Sequence, residues 1–156
     1  TTVRHGGAIV KTIGDAVMAA YPNAASGVAA ALEMRDAIER FNRTQPERPM
    51  LLKIGIHHGA AIAVTLNDEL DYFGQTVNIA SRIQAMADAS EIWITEDVWS
   101  YPGVQDLLAP YPAEERTAEF HGIDQPMNVV RIGGRAAAEQ RSPRPSGEPM
   151  SQAARA

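Results

Sequence analysis

The chain contains no cysteine. Disulfides and thiolate metal sites are therefore excluded, and a cytoplasmic setting is compatible with that lack. No apolar run approaches the ~20 residues needed to span a bilayer, and no signal peptide is evident. No membrane contact is expected from this segment; an anchor on a longer parent protein would lie outside it. Basic charge is also scarce. The 14 Lys and Arg are outnumbered by 19 Asp and Glu, for a formal net charge of −5. That balance argues against a general grip on nucleic acid, which needs a basic patch. Gly6-Gly7 is not a phosphate loop, because no Gly-Lys-Ser or Gly-Lys-Thr follows it. There is no internal repeat.

What remains is 156 residues, of which 45% are hydrophobic. That is enough for one domain and one core. Strands are expected at 8–13 and 16–21, both rich in Ile, Val and Ala, joined by Gly14-Asp15 as a two-residue hairpin turn. Period-two alternation puts Ile9, Lys11 and Ile13 on one face, with Lys11 interrupting an apolar row. A helix is expected over 24–42, capped by Asn23, with Ala31, Met34, Ile38 and Phe41 as its stripe. Glu33, Arg35, Asp36, Glu39 and Arg40 would form its wet side. Residues 44–49 read as a loop, 50–58 and 60–66 as strands joined near Gly59, and 67–70 as a polar connection. A helix over 75–87 precedes a short strand at 91–95, a helical turn at 96–101 and a final hairpin of 115–121 with 127–132. The expected architecture is α+β, one sheet backed by helices. Residues 133–156 are rich in Ala, Arg, Pro, Ser and Gly and are expected to form a disordered, locally basic tail that counts Arg131 at its start.

The helix over 75–87 would carry two faces. Thr76, Ile79, Ala80, Ile83, Met86 and Ala87 form a core-facing stripe. Asn78 and Arg82 lie one turn apart on the other side. Asp71 stands just before the helix. Acid, amide and guanidinium at this spacing suit an anionic ligand, since Arg offers a permanent charge and a fork of donors for phosphate oxygens. Taken alone, a surface ion pair of Asp71 with Arg82 is the simpler reading. Lys11 in an apolar strand weighs against it, because its charge needs a partner or water.

Four segments then carry a resemblance. The string Ile9-Val10-Lys11-Thr12-Ile13-Gly14-Asp15-Ala16-Val17-Met18-Ala19 resembles the metal-binding hairpin of the class III nucleotidyl cyclases. Leu52-Lys53-Ile54-Gly55-Ile56-His57-His58-Gly59 is similar to their central strand. Asp71-Tyr72-Phe73-Gly74-Gln75-Thr76-Val77-Asn78-Ile79-Ala80-Ser81-Arg82 is similar to their later active-site segment, and Phe120-His121-Gly122-Ile123-Asp124-Gln125-Pro126 to their closing segment. The order is the family's, and the resemblance covers roughly residues 6–132 of this chain.

The resemblance implies a ferredoxin-like sandwich over 1–132 that converts ATP to 3′,5′-cyclic AMP and pyrophosphate, in intracellular signal transduction. It implies a homodimer whose sites form at the interface, and two Mg²⁺ or Mn²⁺ ions per complete site. It makes Asp15 a metal ligand, Lys11 and Asp71 the readers of the purine, and Asn78 and Arg82 the groups that orient the ribose and stabilise phosphate charge. Lys with Asp is the pattern associated with adenine: Lys11 can donate to N1, and Asp71 can accept from the exocyclic amine. Lys11 and Asp15 would serve different sites of the dimer.

One departure stands out. The family's other metal aspartate lies upstream in a segment like Phe-x-Asp-Ile-x-Gly-Phe-Thr, and no such segment occurs here. A domain incomplete at its N-terminus is expected, leaving an open sheet edge. A non-catalytic dimerising or nucleotide-binding module of the same fold is the alternative. Other tempting residues are discounted. His57 and His58 should point to opposite faces, one packed and one exposed. Trp93 and Trp99 read as core anchors, and 67–69 as a solvated turn rather than a metal cluster.

Overall fold

Gly14 and Asp15 turn the first hairpin with the smallest loop a ladder allows. In the computed structural model, which describes residues 1–66, 69–120, 122–123 and 125–134, β1 (Ala8–Ile13) pairs antiparallel with β2 (Ala16–Ala20). Gly14 takes a left-handed φ of 61°, which costs glycine little. The ladder carries a bulge: Ile9 pairs with Ala19, but Lys11 pairs with Met18, leaving Val10 without a partner. An extra residue in one strand reverses the alternation beyond it. Lys11 therefore shares a face with Ile13 and Met18, while Ile9 belongs to the opposite face. The expected single row of Ile9, Lys11 and Ile13 is thus corrected by one inserted residue.

Helix α1 (Ala24–Thr44) begins where expected, with the Asn23 side chain accepting a hydrogen bond from the Ser26 amide at 2.8 Å. Its buried stripe is not the one that hydrophobicity alone selects. Ala24, Gly27, Val28, Ala31 and Arg35 are buried, whereas Phe41 is 39% exposed. The spacing is helical, but the residues are small, and small residues let a helix lie close to a sheet. Arg35 belongs to this stripe rather than to the wet side. It is 1% exposed; its Nη1 donates to the Gly133 carbonyl at 2.7 Å, and its guanidinium lies 4.7 Å from the centre of the Tyr111 ring.

A four-stranded sheet forms the centre. Its order is β3 (Ile54–Ile56), β6 (Ile92–Thr95), β8 (Met127–Ile132) and β7 (Ala113–Ala118), with β3 and β6 parallel and the other pairs antiparallel. Ile92, Ile94, Val130 and Ile132 pack with Val28, Ala31 and Leu32 of α1. Val98 of α3 (Glu96–Trp99) and Val104 and Leu108 of α4 (Val104–Leu108) join that cluster. Alternation sends Trp93 and Val129 to the other face, where Ile79, Ile83 and Ala87 cover them. Ile79 and Ile83 belong to α2 (Gln75–Met86), and Ala87 caps it. Helices therefore lie on both faces of this sheet.

The β structure falls into three sheets among the described residues, not one. The strands expected on either side of Gly59 part company: β4 (Ile62–Leu66) leaves β3 and pairs antiparallel with β5 (Glu69–Phe73). Part of the expected connection at 67–70 is thus strand; Asn67 and Asp68 lie outside the described residues. Among the described residues β3 pairs only with β6, and β2 only with β1, so each keeps an open edge. Arg131 is not part of the tail. It sits in β8 and forms ion pairs with Glu91 and Glu114. Of the expected tail, 135–156 lies outside the described residues. No helix among those described is long and apolar enough to cross a membrane.

Candidate functional site

Lys11 and Asp71 are 60 residues apart in sequence and 2.7 Å apart in space, Nζ donating to Oδ2. The β1 bulge turns Lys11 toward β5, and β5 presents Asp71 on the face shared with Val64, Ile62 and Phe73. Asp71 is held from two sides, because its Oδ1 accepts from the Tyr72 amide at 2.8 Å. The hydrogen bond from Lys11 holds the Asp71 carboxyl below its ordinary value; burial opposes that, and the Tyr72 amide reinforces it. The ammonium of Lys11 also lies 5.3 Å from the centre of the Phe73 ring. The site therefore offers a donor and an acceptor side by side above an aromatic ring.

Helix α2 follows β5 directly, through Gly74. Asn78 is exposed on it and Arg82 is half-buried one turn on, while Ile79 and Ile83 point into the core. This is the two-faced helix that the sequence indicates. Arg82 lines an open groove of about 550 Å³ with Ala85, Met86, Thr117, Glu119 and Phe120. What seats α2 is Gly55 of β3. A methyl group there would stand 2.2 Å from the Gln84 amide nitrogen and 2.7 Å from the Ala80 carbonyl oxygen. The Thr76 hydroxyl donates to the Ala60 carbonyl and ties the start of α2 to the segment before β4.

Asp15 stands at the exposed tip of the β1–β2 turn. By itself it does not make a divalent-metal site. Such ions take six or more oxygens, and among the described residues no three His, Cys, Asp or Glu side chains converge. The discounted residues fall into structural roles. His57 Nδ1 is 2.9 Å from the Thr95 hydroxyl, and burial, only partly offset by Asp97, lowers its pKa. His58 is exposed, with its ring at 5.3 Å from Tyr101. Trp93 is 3% exposed and donates to Glu91 at 2.9 Å; Trp99 packs against the main core. The acidic turn at 67–69 lies outside the described residues in Asn67 and Asp68, as do His121 and Asp124 of the closing segment. Sequence reading did not single out Phe73 as a site residue. Its signal was available, since Phe73 is two residues from Asp71 and so on the same strand face.

The family model of the adenylate and guanylate cyclase catalytic domain matches residues 2–108. The chain belongs to that family. It is 32% identical over 98 residues to putative adenylate cyclase 3 of Rhizobium meliloti, covering 62% of this chain and 16% of that one. It is 35% identical over 149 residues to an adenylate cyclase of Anabaena cylindrica, covering 81% and 28%. The chain therefore spans less than a third of the length of these two relatives. The adenylate/guanylate cyclase/hydrolase of Silicibacter pomeroyi superposes with a TM-score of 0.71 at 27% identity, covering 83% of this chain and 74% of that one. This cyclase-domain chain is the α+β fold that the sequence indicates.

Proposed function

We propose that this cyclase domain acts on ATP, forming 3′,5′-cyclic AMP and pyrophosphate at a pocket shared by two copies of the chain. The observation that carries the choice of base is the Lys11–Asp71 pair. An ammonium can donate to adenine N1 while the neighbouring carboxylate accepts from the exocyclic amine. Guanine presents a carbonyl and an N–H at those two positions, so the same pair would meet it with the wrong polarity. In the reaction the ribose 3′-oxygen bonds to the α-phosphorus, and the bond to the β-phosphate oxygen breaks. Pyrophosphate leaves, and the hydroxyl proton passes to water. Asn78 and Arg82 would orient the ribose and carry phosphate charge that grows in the transition state. Asp15 would supply one carboxylate to a Mg²⁺ or Mn²⁺ ion, whose chemistry is to neutralise the phosphates.

The single carboxylate at Asp15 favours a second reading for the chain as it stands, that of a non-catalytic, nucleotide-binding or dimerising module. Cyclic AMP release from ATP, measured for this chain alone and for the chain joined to a segment that supplies the Phe-x-Asp-Ile motif, separates the two. Release only from the joined protein supports an enzyme completed upstream; none from either supports the module. In the active form, Lys11→Glu with Asp71→Cys should move preference toward GTP by at least tenfold. Unchanged selection of ATP by that variant would remove the pair from base reading.

A further inference from the structure

We propose that Phe73 is the positioning residue for Lys11: its ring keeps the ammonium in the base-reading position when the nucleotide takes over Asp71. This inference rests on the base-reading assignment above. Without ligand, Lys11 and Asp71 satisfy each other at 2.7 Å. An adenine cannot be read by that closed pair. Its edge must come between them, replacing the Lys11–Asp71 bond with one bond to each partner. At that moment Lys11 loses one of the two contacts that fix its long side chain, the other being the Phe73 ring. Four rotatable bonds would let the ammonium swing into water, as its 35% exposed side chain allows.

Phe73 is the contact that survives the exchange. Asp71 and Phe73 alternate onto one face of β5, opposite Val64 and Ile62 of β4. Lys11 lies over both, with its ammonium 5.3 Å from the ring centre. That distance is within the range at which a cation is attracted to an aromatic face. The attraction does not use a hydrogen bond, so the three ammonium hydrogens stay free for Asp71 or for a base nitrogen. Phe73 is also rigid, with two side-chain torsions, and its strand leads straight into α2 through Gly74. The ring thus ties the base-reading lysine to the helix that bears Asn78 and Arg82. Its 46% exposure has a use here, since a fully buried ring could not face an ammonium that must meet a ligand.

The test compares Phe73→Leu, Phe73→Tyr and Lys11→Met in the full chain, and in the same chain joined to a segment that supplies the Phe-x-Asp-Ile motif. Carboxyl ¹³C NMR follows the titration of Asp71. In Phe73→Leu its midpoint should rise toward the ordinary aspartate value, because Lys11 is less firmly held, and Phe73→Tyr should restore it. An unmoved midpoint in Phe73→Leu overturns the positioning role. Preference for ATP over GTP, measured by competition, should fall about two- to fivefold in Phe73→Leu and hold in Phe73→Tyr, the span that a partly exposed cation–π contact supports. A midpoint that moves while the preference stays fixed also overturns the proposal, leaving Phe73 as packing only. If Lys11→Met leaves the preference unchanged, the base-reading assignment fails instead, and the role of Phe73 in it falls too.

Discussion

Replacing Gly55 with alanine tests whether α2, and with it Asn78 and Arg82, is held where the structure puts it. The added methyl would lie 2.2 Å from the Gln84 nitrogen, 2.6 Å from the Gln84 Cα and 2.7 Å from the Ala80 oxygen. All three are backbone atoms of α2, so no rotamer change can relieve the contact. Bringing the nearest atom from 2.2 Å to the 3.4 Å of an ordinary contact moves the helix by about 1.2 Å. Overpacking of this kind costs about 1–3 kcal/mol, and a contact with backbone belongs at the upper end. For a domain of this size that is a fall in melting temperature of roughly 10 °C. The same shift carries Asn78 and Arg82 out of register with Lys11 and Asp71, since those sit on other elements. A misplacement of ~1 Å can lower turnover about a hundredfold. The assays are thermal unfolding of the chain and cyclic AMP release from the complete domain. Gly134→Ala is the control, because a methyl there meets nothing within 4 Å. Gly55→Ala melting within ~2 °C of that control would refute the close seating of α2 on β3 and remove the reason for any effect on turnover.

Two further predictions concern stability. Glu91 is partly buried, which by itself would raise its pKa, but the Asp88 amide, the Trp93 indole N–H and Arg131 outweigh that and hold it at about 2, against an ordinary 4.5. The stabilisation is present above pH 4.5 and is lost as pH falls toward 2. The full depression corresponds to about 3 kcal/mol; with Arg131 at 36% exposure, solvent screening brings it to about 1–2 kcal/mol. Glu91→Gln should therefore be less stable than the parent by that amount in urea at pH 7, with the gap closing at pH 3; curves that stay parallel would count against the assignment. Arg35→Lys should be less stable than Arg35→Met. Lysine keeps a buried charge while losing the planar fork and the Tyr111 stacking, whereas methionine fills the apolar space; the reverse order of melting temperatures would refute that reading of Arg35.

Much of the fold is legible because its signals are local. The Gly14-Asp15 turn, the Asn23 cap and the Ile79–Ile83 spacing each depend on residues within a few positions. The errors arise where a distant partner decides. Nothing near Val10 announces a bulge, which is a property of the β1–β2 register. Nothing in α1 marks Arg35 as buried until the Ile132 and Gly133 carbonyls arrive from nearly 100 residues away. Residues Glu69 and Leu70 read as a connection because β5 gains its strand character from pairing with β4. At the site, the Lys11–Asp71 pair could be named from the motif, but its closure could not, since it depends on the bulge. Phe73 shows the same limit: alternation puts it beside Asp71, yet only the neighbouring strand puts an ammonium over it.

The distribution of burial bears on the proposed pocket shared by two copies. Among the described residues, none of the first 23 is buried, and none from 36 to 65 or from 70 to 78. Those stretches include both hairpins, and the hairpins carry Lys11, Asp15 and Asp71. They also carry Ile9, Ile13, Val17, Ile62, Leu70 and Phe73, each 46–66% exposed. A two-stranded hairpin alone is marginally stable in water, and clustered exposed apolar side chains mark surfaces that meet another surface. The core that folds this chain lies elsewhere, between α1, the four-stranded sheet and α2. Among the described residues the sheet edges of β2 and β3 are open, β2 following the Asp15 turn and β3 carrying the Gly55 on which α2 is seated. The groups proposed to read the base and to hold a metal thus sit on the elements least able to fix themselves. That supports the proposed pocket shared by two copies, with a second copy over the exposed apolar side chains. A protein that kept its reactive groups on such elements for packing alone would be exposing apolar area without return.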